Sequence, residues 1–296
     1  MADVSTSAAT PTPTGNPVNV SQVKQLSPFR YPGGKTWLIP VVKEWFEHME
    51  TTPDLLLESF AGGAIVGLTA ARDGWAKKVK LVEKDDDVAA VWSLVIHGSD
   101  GDAGTLFRRI EDFDFTTEHV REVIDGDVED LGDRAFRTII KNRAQRGGIM
   151  APGAGLMKVG EAGRGVASRW YPQTLIKRMS AIRTFRERLE FVQGDAIEAI
   201  EQHQGANTVH FIDPPYTAPD GKKAGRRLYT HNALDHDALF RAVSTAAGAA
   251  MLTYDDNEWV RTEAERYGFG LATSFMQSTH GVKMHELVVL KEGDGA

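Results

Sequence analysis

Asp213-Pro214-Pro215-Tyr216 is the stretch best suited to chemistry, and it directly follows an apolar run, Thr208-Val209-His210-Phe211-Ile212, that reads as a buried strand. Proline fixes φ and donates no N–H, so a rigid corner at a strand's carboxyl end leaves the carbonyls of Asp213 and Pro214 free to accept hydrogen bonds from outside. The corner offers a carboxylate oxygen and a main-chain carbonyl to a planar amine, with the Tyr216 ring placed to stack on the attached heterocycle. An exocyclic amino group on a flipped nucleobase fits that description. The plain alternative is a strand-ending turn, where proline is common.

Positioning such a corner takes a sheet. Seven segments have the short apolar runs and β-branched content of strands: Leu55–Phe60, Val79–Glu83, Leu189–Gln193, Thr208–Asp213, Ala250–Tyr254, Leu271–Gln277 and Glu286–Leu290. Helical patterns fall between most of them. Trp37, Leu38, Val41, Val42, Trp45, Phe46 and Met49 repeat at helical spacing, with Pro40 tolerable in an early turn, and Ala233–Ala246 shows one apolar face. The alternation predicts an α/β fold, a doubly wound, mostly parallel seven-stranded sheet covered on both faces. The last two strands are joined by a short turn around His280-Gly281, so one of them runs antiparallel.

In such a sheet, ligands bind beyond the carboxyl ends of the strands, where chain order reverses. Polar features fall at four of those ends. Glu58-Ser59-Phe60-Ala61-Gly62-Gly63 follows the first strand, with paired glycines that let backbone approach a ligand. The second ends at Glu83, followed by Asp85, where an acid can accept from both hydroxyls of a ribose. The third ends in Gly194-Asp195 and the fourth in the Asp-Pro-Pro-Tyr corner. Each acid alone could be a solvated loop residue; their placement on consecutive strand ends is harder to explain that way.

The chain has 296 residues, enough for one α/β domain and a substantial insertion. About a hundred residues between Glu83 and Leu189 are helical or Gly-rich without a strand signal, and they predict an inserted, mainly helical recognition module over 96–185 within a catalytic domain of 27–95 and 186–296. Residues 1–26 are Ser/Thr/Ala/Pro-rich and read as a disordered leader, without the pattern of a signal peptide. No run is long and apolar enough to span a membrane, and the absence of cysteine excludes disulfides, Cys-ligated zinc and thiol catalysis, which fits a cytoplasmic enzyme.

A net charge of −7 argues against nucleic-acid binding by the whole surface, yet its distribution is uneven. Acids dominate from Asp100 to Asp133. From Lys141 to Arg188 the cations Lys141, Arg143, Arg146, Lys158, Arg164, Arg169, Lys177, Arg178, Arg183, Arg186 and Arg188 face only Glu161 and Glu187. A basic block in an acidic protein is a candidate polyanion surface, its alternative being solvated helix faces. Lys222, Lys223, Arg226 and Arg227 form a second cluster in the Gly-containing loop Thr217–Leu228, beside the corner and suited to phosphates. Two motifs mislead. Gly33-Gly34-Lys35-Thr36 resembles the end of an NTPase phosphate loop, but the required earlier glycine is Phe29 and no buried strand precedes it. The histidines show no metal-binding spacing, and no metal is expected.

Taken together these motifs resemble the Dam-like (D12-class) DNA adenine-N6 methyltransferases, over nearly all of the chain after the leader. Phe29-Arg30-Tyr31-Pro32-Gly33-Gly34-Lys35 is similar to the family's amino-terminal cofactor motif, and Glu58-Ser59-Phe60-Ala61-Gly62-Gly63-Ala64 to its Gly-rich cofactor loop. Glu83 falls where the family places its ribose-binding acid, Asp195 where it places the residue facing the cofactor's adenine, and Asp213 to Tyr216 match its catalytic tetrapeptide. Leu228-Tyr229-Thr230-His231, Leu252-Thr253-Tyr254-Asp255-Asp256 and His285-Glu286-Leu287 look like later sheet motifs, and the motif order is the family's alpha arrangement. Ala64 stands where the last loop glycine is usual, Ser59 where proline is, and Asn142 to Gly148 match the family's insert only loosely.

The resemblance implies a Rossmann-like methyltransferase fold, S-adenosyl-L-methionine as cofactor and double-stranded DNA as partner, and it leaves open a cognate restriction nuclease. It implies a cofactor site of Tyr31, Gly33, Gly34, Lys35, Glu58, Phe60, Gly62, Gly63, Glu83, Asp195 and Asp213, and direct methyl transfer to adenine N6 at Asp213, Pro214, Pro215 and Tyr216. DNA would be held by Lys158, Arg169 and the second basic cluster, with Arg143, Gln145 and Arg146 as candidates for reading base edges, since Arg suits guanine and Gln adenine. Cytosine-N4 methylation and a catalytically silent DNA-binding relative are the rival readings.

Overall fold

The computed structural model describes residues 23–219, 228–231, 233–277 and 283–294, with backbone alone at 274–277 and 283–285. Its strands are β1 (Leu55–Glu58), β2 (Lys78–Glu83), β3 (Leu189–Gln193), β4 (Thr208–Ile212), β5 (Ala250–Asp255), β6 (Gly270–Gln277) and β7 (Lys283–Lys291). They form one sheet in the order β3-β2-β1-β4-β5-β7-β6. The pairs from β3 to β5 are parallel, and β7 runs antiparallel between β5 and β6. This doubly wound α/β order with a reversed seventh strand is that of the Rossmann-like methyltransferase fold. The point where chain order reverses lies between β1 and β4.

Alternation along the strands divides the core in two. Leu56, Val79, Leu81, Val209, Phe211 and Met251 face α1 (Ile39–Glu47), α2 (Ile65–Asp73) and α3 (Asp86–Trp92). Leu57, Val82, Ile212, Leu252 and Tyr254 face α8 (Ala196–Gln202), α9 (His236–Thr245) and α10 (Glu258–Arg266). Pro40 sits in the first turn of α1, where the N–H it lacks would have had no intrahelical partner.

Between α3 and β3 run α4 (Asp100–Asp112), α5 (Thr117–Asp125), α6 (Leu131–Ala144) and α7 (Pro172–Arg183). Their Ile110, Val120, Ile139 and Met179 belong to the same apolar cluster as Leu56 and Val91, so this region shares the core of the sheet's first face. Asp87 of α3 binds Lys141 at 2.8 Å and Arg137 at 3.3 Å, fixing α6 to the sheet domain. At the amino end Leu26 is 1% exposed and Val23 packs on the core, so the ordered body begins before residue 27. The rest of the expected leader, residues 1–22, lies outside the described residues.

His210 occupies the middle of β4 at 0% exposure, and neither ring nitrogen makes a well-formed hydrogen bond. Burial first, with His203 and Lys291 adding to it, lowers its pKa to about 4. Folding therefore favours the neutral ring. As pH falls from the ordinary 6.5 towards 4, the unfolded chain takes up a proton the fold refuses, and stability falls by up to about 3 kcal/mol. Urea unfolding of the wild type and His210→Leu should show the variant gaining that much on the wild type between pH 7 and pH 4. Parallel pH profiles would assign the acid sensitivity elsewhere.

Candidate active site at the carboxyl edge of the sheet

The carboxyl ends of β1, β2, β3 and β4 open into one cavity of about 360 Å³. Its wall carries Tyr31, Gly34, Lys35, Glu58, Phe60, Gly62, Gly63, Glu83, Asp195, Asp213 and Pro215. Residues singled out across five separate stretches of sequence thus meet in one place. Gly33 packs close by: a side chain there would come within 3.0 Å of the Tyr229 hydroxyl.

The loop between β1 and α2 is shaped for close approach. Gly62 has φ +46°, and a Cβ on it would come within 2.7 Å of the Tyr31 ring. Ala64, where the resembling family has glycine, adopts φ +51°. It thus takes the left-handed conformation that glycine adopts freely, at a cost of about 1–2 kcal/mol. The indole N–H of Trp92 holds this loop by donating to the Gly62 carbonyl at 2.9 Å. Beneath it Glu58 accepts from the Gly67 N–H at 2.7 Å, and burial pushes its pKa up to about 8. The Glu58 carboxyl therefore ties the end of β1 to the first turn of α2. The Ser59 hydroxyl on the same wall is buried without a hydrogen-bond partner.

Glu83 stands at the end of β2. One of its oxygens accepts from the Gly62 N–H at 2.8 Å, the other from the N–H groups of Lys84 and Asp85 at 2.9 Å. Burial raises its pKa to about 7 in spite of these donors. A carboxylate has about four lone-pair sites, so with three donors in place one remains for a ligand hydroxyl. Asp85 and Asp195 also line the cavity, but each caps a helix: Asp85 accepts from Asp87 and Val88 at the start of α3, and Asp195 from Ile197 and Glu198 at the start of α8. Asp195 pairs in addition with Lys84 at 3.0 Å.

The Asp-Pro-Pro-Tyr corner is held by a buried cation. Lys35, 3% exposed, places Nζ 2.8 Å from Asp213 Oδ1, 3.6 Å from Glu286 Oε2 and 2.7 Å from the Gly33 carbonyl oxygen. Burial opposes its charge, but Asp213 and Glu286 outweigh that and hold its pKa above the ordinary lysine value. Thr253 of β5 donates to Asp213 Oδ1 at 2.7 Å. The Tyr216 hydroxyl donates to Glu286 at 2.9 Å, its ring stacks on Tyr254 with centroids 6.1 Å apart, and Lys35 Nζ lies 5.0 Å from its centroid. Asp213 and Pro215 reach the cavity wall, whereas Pro214 is buried and Tyr216 is not part of the wall. The Tyr216 ring is thus engaged within the protein by Lys35 and Tyr254.

Several expected nucleic-acid contacts are corrected by burial. Arg143 is 6% exposed and donates to the Pro28 carbonyl, and Gln145 is 7% exposed and donates to the Ala154 carbonyl, so neither side chain is presented to a base edge. Much of the basic block is likewise structural: Arg183 binds the Val95 and Gly98 carbonyls and Asp100, Arg186 the Gly98 carbonyl, Arg188 the Ala71 carbonyl, and Lys141 Asp87. Arg169 pairs with Glu161 at 2.7 Å. Arg146 and Lys158 are exposed and line, with Arg121 and Arg164, a cleft of about 950 Å³ in the inserted region. Lys222, Lys223, Arg226 and Arg227 lie outside the described residues.

Sequence reasoning gave no role to Glu286, Thr253 or His236. The signal for Glu286 was present, a lone acid opening the apolar run Leu287 to Leu290, where an ionisable group needs a partner. His236 bridges Tyr254 and the Thr217 hydroxyl at 3.0 and 3.1 Å, bracing the chain just after the corner.

Compared with known proteins, the chain matches no family model and no curated sequence. Among solved structures it is similar to an rRNA methyltransferase from Streptomyces viridochromogenes, at 11% identity over 89% of this chain and 87% of that one with a TM-score of 0.39. A Pyrococcus horikoshii protein assigned as an RNA methyltransferase is similar at 10% identity over 93% and 94%, with a TM-score of 0.40. An Escherichia coli protein assigned as a methyltransferase follows at 11% over 86% and 84%, with a TM-score of 0.37. The strand order itself defines the fold.

Removing Lys35 leaves Asp213 and Glu286 facing each other without a cation. Lys35→Met should lower unfolding free energy at pH 7 by about 3–5 kcal/mol, the range for breaking a buried pair. The deficit should shrink as pH is lowered, because protonated carboxyls need no counter-ion, and Lys35→Met with Glu286→Gln should recover part of it. Denaturant titrations at pH 7 and pH 5 measure all three; a pH-independent deficit would make the lysine's role one of packing.

Proposed function

We propose that this protein is an S-adenosylmethionine-dependent methyltransferase acting on the exocyclic N6 amine of adenine in double-stranded DNA. The observation that carries the reading is the setting of Asp213. It lies on the wall of a cavity at the β1/β4 switch point, beside a Gly-rich loop, and an ammonium already rests 2.8 Å from its carboxylate. A carboxylate that holds the Lys35 amine, next to a tyrosine ring, has the chemistry to hold a substrate amine. The cavity's residues fit the cofactor: Glu83 retains an acceptor site for a ribose hydroxyl, the Ser59 hydroxyl is unpartnered, and Gly62 and Gly63 of the loop line the wall. When bound, the cofactor supplies an electrophilic methyl group.

The difficulty in methylating an aromatic amine is that its lone pair is delocalised into the ring. Asp213 and a main-chain carbonyl of the corner would accept the two N–H groups and favour a pyramidal nitrogen whose lone pair points into the cavity. Thr253 and Lys35 fix the Asp213 carboxylate so that this geometry exists before substrate arrives. Positive charge developing on the nitrogen is stabilised by the same carboxylate. The target base leaves the duplex at a cost of a few kcal/mol, offset by phosphate contacts for which the exposed Arg146 and Lys158 and the loop cations at 222–227 are the proposed donors.

Asp213→Ala should abolish methyl transfer while leaving cofactor affinity largely intact, because its contact with the amine matters in the transition state. Incubation with labelled cofactor and DNA or RNA, followed by nucleoside analysis, reads both amount and product. N6-methyladenine in DNA is expected; N4-methylcytosine or a product in RNA alone would overturn the substrate assignment.

Glu83 makes a pH-dependent prediction. Its ionised form is the better acceptor for ribose hydroxyls, so cofactor affinity should rise as pH rises through about 7. Glu83→Gln should flatten that profile, and Glu83→Ala should cost about 1.5–3 kcal/mol of cofactor binding. Calorimetry across pH 6 to 8 measures both. An unchanged profile in the variants would remove Glu83 from the cofactor site.

A further inference from the structure

Three guanidiniums gather where the amino-terminal segment meets the inserted helices. Arg30 and Arg178 line the cavity, and Arg143 of α6 lies buried beside them. Arg178 donates to the Ser27 carbonyl at 2.9 Å and Arg143 to the Pro28 carbonyl, while Asn142 clamps Arg30 through its backbone N–H at 2.9 Å and its carbonyl at 3.0 Å. Among the described residues no carboxylate comes within 4.0 Å of any of the three. Two of their nitrogens, Arg30 Nη1 and Arg143 Nε, are buried without a hydrogen-bond partner.

That arrangement is costly as it stands. Buried charges are ordinarily paired, and unpaired ones carry an uncompensated desolvation penalty. The three cations also repel: burial lowers all three, Arg143 to about 9, with Arg178 and Arg30 adding to its shift and Arg169 to that of Arg30. The cavity acids are engaged elsewhere: Glu58 by Gly67, Glu83 by Gly62, Asp85 by Asp87 and Val88, Asp195 by Ile197 and Lys84, and Asp213 by Lys35. The missing partner is therefore an anion from outside the described chain, and a planar fork of donors suits an oxyanion.

We propose that Arg30, Arg143 and Arg178 form an oxyanion-binding subsite of the cavity, filled by the ligand rather than by the protein. The inference rests on the reading of this cavity as a cofactor site. Two sources supply such a group there, the carboxylate at the amino-acid end of S-adenosylmethionine and a backbone phosphate of the nucleic acid. Arg178, half-buried at the cavity wall, is the member best placed for substitution.

The test compares S-adenosylmethionine with its decarboxylated analogue by calorimetry, on the wild type, Arg178→Met and Arg178→Lys, with DNA binding measured at several salt concentrations. If the cofactor carboxylate fills the subsite, the wild type should bind the analogue at least tenfold more weakly. Arg178→Met should bind both ligands alike, and Arg178→Lys should restore part of the difference. If a phosphate fills it, all three proteins should treat the two ligands alike, while Arg178→Met loses DNA affinity and about one unit of salt slope. Arg30→Met serves the same arms should Arg178→Met fail to fold. Equal affinities for both cofactors together with unchanged DNA binding and salt slope in the variants would overturn the subsite. A wild type that binds neither cofactor would instead defeat the proposed function, and the DNA arm would still decide whether the arginines hold a phosphate.

Discussion

A buried charge has to be matched, and much of this molecule's active edge follows from matching one. Lys35 is almost wholly removed from water, and its ammonium is tolerable because Asp213, Glu286 and the Gly33 carbonyl surround it. Those partners come from the β4 corner, from β7 and from the segment before α1. The ion cluster is thus a junction between distant parts of the chain, and it fixes the carboxylate best placed to meet an amine. Tyr216 is drawn into the same junction through Glu286, so the corner's ring and its acid are positioned by one network rather than by two independent contacts.

The sheet supplies the frame for that network. Strand order reverses between β1 and β4, which splays the loops after them and leaves the space the cavity occupies. Each strand end then contributes a different chemistry: a sharply turned backbone after β1, a carboxylate after β2, a helix-capping acid after β3, an amine-holding acid after β4. The left-handed Ala64 and the Trp92 bond to Gly62 show how much structure is spent on holding the first loop open. Local strain retained at a ligand-facing loop is expected where the surrounding packing over-determines the backbone.

Most of the seven strands were legible because they are short apolar runs closed by glycine or an acid, a pattern that depends only on neighbours in sequence. The strand-end residues Glu83, Asp195 and Asp213 were legible for the same reason, and the cavity brings them together. What escaped was set by contacts between residues far apart. Glu286 reads as one polar residue among apolar ones until β7 is laid beside β5. The basic block reads as a surface because counting charges does not reveal that α6 turns Arg143 inward, or that Arg183, Arg186 and Arg188 spend their donors on carbonyls. Tyr216 was recognised from its motif, but its engagement by Lys35 and Tyr254 depends on three segments that only the folded chain brings together.

The antiparallel course of β7 has a further consequence for how the protein comes into being. A reversed strand brings its leading part, with Glu286, to the edge where β1 to β4 end, and it enters the sheet between β5 and β6 rather than at a margin. Lys35 is made well before Glu286. Between the making of β4 and that of β7 the lysine and the β4 acid exist without their third member, and β5 and β6 have no common neighbour until β7 arrives. The parallel part of the sheet is made before the charge junction can close, so competence for chemistry arrives in one step, when two distant stretches of the polypeptide meet.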